Sequence, residues 1–229
     1  GKAEKPVYLW THDGEAEVRD ASPLWGKTTG EAQELIREDL GDKRVRALLI
    51  GQGGENLVRF ANILNELKHA NGRGGLGAVM GSKNLKAIAV RGHNRINIKD
   101  QETIRRLRKH FADTFMDNPS NRGLNLLGTA ELVKVANDDG QLPTRNFQTG
   151  HFEEAEAISG ETLRNTFLVD TEACWACSVK CKRVVSIDEP YSVDPAYGGP
   201  EYETLAGLGA NCGISDLAAI CKGNELCAK

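Results

Sequence analysis

The chain has 229 residues, enough to bury a sizeable core in one large domain or two smaller ones. With 40% hydrophobic and 27% charged residues it has the balance of a soluble globular protein, and a net charge of -3 excludes a general attraction to nucleic acid. No signal peptide and no apolar run of about 18 residues is present, so neither export nor a spanning helix is indicated, and no membrane partner is expected.

The opening "PVYLWTHDGEAEVRDA" reads as two short strands turned at Asp13 and Gly14. "TTGEAQELIREDLG" reads as a helix: Thr28 caps it, Glu31 is the capping-box partner, Ala32, Leu35, Ile36 and Leu40 share a face, and Gly41 ends it. "VRALLI" is a buried-strand candidate. The loop "GQGG" follows, then an expected helix with Leu57, Phe60, Ala61, Leu64 and Leu67 on one face. "KAIAVRG" is a further strand.

Between these lies "NGRGGLGAVMGSKN", in which Gly72, Gly74 and Gly77 match the spacing Gly-x-Gly-x-x-Gly. A dinucleotide fingerprint needs a strand before the glycines and a helix after them, whereas the pattern here predicts a helix ending near His69 and a strand from Lys86. "IGQGGEN" has the better order but lacks the third glycine, and its glycines read as a tight turn that packs a helix on the sheet. The glycine density from Gly72 to Gly81, with Arg73 inside it, suits a phosphate-bearing ligand, because bare N–H groups and a guanidinium fork both favour anions.

Texture changes near Gly92 to Lys99, and a domain boundary is expected near residue 96. Beyond it Ile104, Leu107, Phe111 and Phe115 repeat at helical spacing, and "GTAELVKVANDDG" gives another helix closing at Gly140. The expected class is α+β: a β-rich first part, residues 1–95, and a mainly α-helical second part, residues 96–229.

All six cysteines lie between Cys174 and Cys227, a local cluster that points to a reduced, cytoplasmic compartment and a cysteine site. "CWACSVKC" spaces Cys174, Cys177 and Cys181 so that their sulfurs converge either on one helix face or in a loop. Thiolates this close repel unless a metal neutralises them, and Lys180, Lys182 and Arg183 favour an anionic centre. An iron–sulfur cluster is the natural fit; zinc and plain core cysteines stay open. In "GGPEYET", Pro200 fits a first helical turn that would carry Glu201 and Glu203 at its dipole-favoured end, and either carboxylate could serve as an acid/base group.

Taken in order, "GENLVRFANILNE", "GRGGLGAVMGSKNLKAIAVRG", "LPTRNFQTG", "CWACSVKC" and "GPEYETLAGLGANCGI" resemble the tungsten-containing aldehyde ferredoxin oxidoreductases over essentially the whole chain. The resemblance implies a tungsten (or molybdenum) ion on two molybdopterin dithiolenes, a neighbouring [4Fe-4S] cluster, aldehydes as substrates and ferredoxin as acceptor. It implies that residues 1–95 are the later part of the pterin-binding N-terminal domain and 96–229 most of a helical second domain, with an earlier segment and a third domain outside the chain. The opening Gly1 and the unstopped amphipathic end suit such a segment. By the same resemblance Cys174, Cys177 and Cys181 are cluster ligands, the fourth ligand lies beyond Lys229, and Cys212, Cys221 and Cys227 are packing residues. Ala70, Asn71, Gly72 and Arg73 would touch the pterin and its phosphate. Glu203 would handle a proton beside tungsten, with Glu201 the weaker candidate. Some members bind an intersubunit iron through a Glu-x-x-His pair; the matching positions here are Lys222 and Glu225, which puts that metal in doubt without excluding a homodimer. Two other readings stay open: the tungsten subunit of a benzoyl-coenzyme A reductase-type enzyme, and a non-catalytic metal-binding interaction module.

Overall fold

The computed structural model describes residues 1–229. They divide into two compact units, Gly1–Asn97 with Ala228–Lys229, and Ile98–Cys227. The first holds strands β1 (Val7–His12), β2 (Glu15–Asp20), β3 (Arg46–Leu49), β4 (Ile63–Asn65), β5 (His69–Asn71) and β6 (Leu85–Arg91) in one sheet of order β2-β1-β6-β3-β4-β5. Only the β1–β6 pair is parallel; the other neighbours are antiparallel.

Local chemistry accounts for much of this. Asp13 and Gly14 both take positive φ, 47° and 96°, the geometry of a tight hairpin turn, and set His12 opposite Glu15. Helix α1 (Thr29–Leu40) starts on the Thr28/Glu31 capping box and stops at Gly41 in the left-handed conformation. Its Ala32 and Ile36 are buried in one cluster with Tyr8, Trp10, Ala47, Leu49, Ala87 and Ala89 of the sheet.

The helix expected across Leu57 to Leu67 is not there. Helix α2 is confined to Gln52–Glu55, and the following residues turn into the β4–β5 hairpin. Glu66 and Leu67 both take left-handed φ at the tip of this hairpin. The Glu66 carboxylate accepts from Ala47 N at 3.1 Å and from Arg37 and Arg46 at 3.0 and 2.6 Å, so long-range pairing overrides the helical spacing. The glycine stretch is corrected too. It is preceded by strand β5, and from Leu76 onward it is itself helix α3 (Leu76–Ser82), the order of elements that the sequence pattern had reversed. That order still makes no dinucleotide unit, because β5 is an antiparallel edge strand and β6 is not its neighbour.

The second unit contains α4 (Gln101–Thr114), α5 (Pro119–Leu127), α6 (Leu132–Asp138), α7 (Gly160–Thr166), a two-stranded sheet of β7 (Leu168–Glu172) and β8 (Lys182–Val185), the short α8 (Tyr202–Thr204), and α9 (Leu217–Ala228). Val133, Leu142, Phe152, Ile158, Leu163, Val185, Leu205 and Ile220 form its core. A mixed sheet with α1 packed on it and a helix-dominated second unit make the class α+β. No helix is long and apolar enough to cross a membrane.

Candidate functional site

Cys174, Cys177 and Cys181 lie in the loop joining β7 to β8, not on a helix. Cys177 N donates to Cys174 O at 3.1 Å, and Ala176 and Lys180 take positive φ, 56° and 53°, which coils the loop back on itself. Two side chains brace it from below. Asn125 Nδ2 donates to Val179 O at 2.8 Å, and the buried Arg183 guanidinium donates to Lys180 O at 2.6 Å and to Asn125 O and Leu126 O at 3.0 Å each. Arg183 thereby ties the last carbonyls of α5 to the residue before Cys181, a cation at a helix C-terminus. Its Nε is buried without a hydrogen-bond partner.

The donor chemistry of this loop suits a thiolate-held cluster. All six cysteines are free thiols. Burial pushes the Cys181 thiol up, the Glu201 charge adds to this, Lys182 opposes it, and Cys174 and Cys177 raise it further. No three His, Cys, Asp or Glu side chains converge tightly enough to form a ready-made metal site. Of the remaining cysteines only Cys221 is buried; Cys212 and Cys227 are exposed, so packing explains one of the three expected there.

The two carboxylates of "GPEYET" are separated by their partners. Helix α8 begins at Tyr202, later than Pro200 suggested, because it is a three-residue turn leading into the π-helical turn Leu205–Gly209; Glu201 occupies its N-cap position. Glu201 Oε1 accepts from Lys182 Nζ at 2.7 Å and Oε2 from Thr129 Oγ1 at 2.5 Å. Glu203, in contrast, is exposed. Burial and the charge of Glu203 raise the neighbouring Tyr202 phenol. The Lys182–Glu201–Thr129 connection carried no sequence signal, since Thr129 and Glu201 are 72 residues apart. The Glu225 carboxylate is 2% exposed and accepts from Lys222 Nζ at 3.0 Å and Asp194 N at 3.0 Å.

In the first unit, Ala70, Asn71, Gly72 and Arg73 are exposed where β5 runs into the glycine loop. The loop is held from behind by Asn71 Nδ2, which donates to Ile63 O at 3.4 Å. Its glycines do different work. A Cβ on Gly75, Gly77 or Gly81 would strike the backbone of Arg59, Ala61–Asn62 or Gly54, whereas Gly72 and Gly74 face open space. Gly54 likewise abuts Gly77 O, so of the "IGQGG" glycines this one packs α2 against α3. The cleft of about 430 Å³ at the β1–β2 turn is a separate feature whose ionic groups are matched: Asp13 with His93, His12 with Glu17, and Arg91 with Asp42.

Two family models match the chain. The N-terminal domain of aldehyde ferredoxin oxidoreductase covers residues 1–92, and domains 2 and 3 of the same enzyme cover 106–229. The chain belongs to the aldehyde ferredoxin oxidoreductase family. A tungsten-containing aldehyde ferredoxin oxidoreductase of Pyrococcus abyssi is 46% identical over 229 residues, which are 98% of this chain and 37% of that protein. An aliphatic sulfonate oxidoreductase WOR-like subunit of Pyrococcus furiosus is 34% identical over 93% of this chain and 36% of that protein. The solved active-site complex of benzoyl coenzyme A reductase with 1,5-dienoyl-CoA shares the fold, with a TM-score of 0.65 at 24% identity over 95% of this chain and 36% of that one. The chain thus spans little more than a third of the length of the curated relatives it matches.

Proposed function

We propose that the protein containing this chain oxidises aldehydes to carboxylic acids at a tungsten, or molybdenum, bis-molybdopterin centre and passes electrons through a [4Fe-4S] cluster to ferredoxin. Membership of the family supports the reaction class, and one feature of the chain carries it furthest: a single braced loop carries Cys174, Cys177 and Cys181, with the cationic Lys182 and Arg183 next in sequence. When bound, the metal groups supply the redox chemistry, two electrons leaving the aldehyde and single electrons leaving for ferredoxin.

The chain's own residues have the following parts. Residues 1–95 serve as the later part of the pterin-binding domain and 96–229 as the helical domain that holds the cluster. Cys174, Cys177 and Cys181 supply three of its thiolates. Around Ala70 and Asn71 the exposed backbone, opened by Gly72, lets a phosphate approach closely, and the Arg73 guanidinium pairs with it. Helix α3, at seven residues, is too short to bring a dipole of consequence, so the loop N–H groups and Arg73 carry that recognition. Converting an aldehyde and water to a carboxylic acid releases two protons with the two electrons. Glu203, exposed and ahead of the buried Leu205–Ala206 turn, accepts one of them.

In the full-length enzyme, replacing Cys177 by Ser should abolish or alter the paramagnetic resonance signal of the reduced cluster; an unchanged signal would remove this cysteine from the site. Turnover of a panel of aldehydes and thioesters, with ferredoxin reduction as readout, separates aldehyde oxidation from the chemistry of the benzoyl-coenzyme A reductase named above. A preparation containing zinc alone would sink both.

A further inference from the structure

Strand β8 opens at Lys182, the residue after Cys181. Lys182 Nζ donates to Glu201 Oε1 at 2.7 Å, Thr129 Oγ1 donates to Glu201 Oε2 at 2.5 Å, and the same hydroxyl accepts from Tyr202 N at 2.9 Å. One carboxylate therefore joins three segments: the strand leaving the cysteine loop, the 3₁₀ turn Gly128–Glu131, and the start of α8. The two charged side chains are 24% and 30% exposed, so water screens them only in part. Cys181 feels the charge of Glu201, and Lys182 feels those of Cys181 and Cys174.

A fixed cation beside a cluster stabilises the electron the cluster takes up, and a fixed anion does the opposite. Held 2.7 Å apart, the two cancel at a distance, and the loop sees a dipole in place of a net charge. Glu201 also has both oxygens occupied by hydrogen-bond donors, which fixes the carboxylate in place. We propose that Lys182 and Glu201 form a compensated charge pair that sets the reduction potential of the centre held by Cys174, Cys177 and Cys181, with Glu201 a positioning residue and Glu203 alone handling protons. This rests on the cluster reading above and adds to it.

The test is a redox titration of the full-length enzyme followed by paramagnetic resonance. Glu201→Gln leaves Lys182 uncompensated and moves the midpoint potential up. Lys182→Met leaves Glu201 uncompensated and moves it down. The double variant returns close to the unaltered protein, and Thr129→Val, which keeps both charges, stays close to it. Shifts of the same sign in the two single variants, no shift with an intact signal, or loss of the signal in both would each overturn the proposal, because those are the marks of a purely structural clasp. Absence of any cluster signal in the unaltered enzyme would instead refute the cluster reading itself.

Discussion

The five glycines from Gly72 to Gly81 differ in what stands opposite the missing Cβ. A methyl group on Gly81 would land on Gly54 O, and one on Gly77 on the carbonyls of Ala61 and Asn62; these are backbone atoms that cannot swing aside. Gly72 has only Asn62 Oδ1 at 3.9 Å and does not take positive φ. Gly81→Ala in the full-length protein is therefore expected to cost on the order of 1–3 kcal/mol by overpacking, read as a lowered unfolding midpoint. Gly72→Ala should change stability by no more than about 0.5 kcal/mol, as at an ordinary surface position, while reducing bound tungsten and pterin. Equal stability losses in the two would contradict this division. A normal cofactor content in the second would take Gly72 out of the phosphate-facing loop.

Elements of the first unit are joined by a few ionic contacts, and Asp42 is the clearest. Following α1, its carboxylate accepts from Arg44 N at 2.8 Å and from Arg91 Nε at 2.8 Å, tying the turn before β3 to the end of β6. The Arg44 backbone bond and then the Arg91 side chain pull its pKa from the ordinary 3.8 down to about 2. A carboxylate depressed in the folded state contributes stability that is present above its unfolded pKa and lost as pH falls through the folded value. The denaturation midpoints of the unaltered protein and Asp42→Asn should thus differ above pH about 4 and converge towards pH about 2; a gap independent of pH would exclude this carboxylate as the cause. Elements with local causes were legible in the sequence: the Asp13–Gly14 turn, the Thr28/Glu31 box, and the strands holding Arg46–Leu49 and Leu85–Arg91. Those with distant causes were not. The helical spacing of Leu57, Phe60 and Leu64 lost to a hairpin whose turn is held by Arg37, Arg46 and Ala47 N, and Leu57 and Phe60 ended exposed. Helix α3 was hidden by its own glycines, poor helix formers whose value is the close approach of α2. The cysteine spacing raises the expectation of a metal motif, yet nothing local could reveal Arg183 and Asn125 bracing that loop or Thr129 clasping Glu201.

Across the whole chain, some of the outward-facing apolar side chains fall close together in sequence or along one helix. Leu57, Phe60, Leu76 and Val79 are exposed around the glycine loop of the first unit. In the second, α4 buries none of its residues and exposes Ile104 at 50%, Leu107 at 54% and Phe111 at 45%, and Trp175 on the cysteine loop is 96% exposed. Scattered exposed apolar residues are ordinary, but contiguous stripes of this kind mark surfaces that meet something else. Since the chain spans only 37% of the Pyrococcus abyssi relative, the remaining length of such a protein is the nearest candidate cover. The 229-residue chain produced alone should then bind an apolar fluorescent dye and associate with rising concentration, whereas the full-length enzyme should do neither. Amide exchange gives the sharper comparison, because a helix packed on one side opens less often than one packed on none. The amides of Gln101–Thr114 should exchange rapidly in the isolated chain and slowly in the full-length enzyme. Equally rapid exchange in both would show that the α4 stripe stays open in the intact protein and is free for a separate partner.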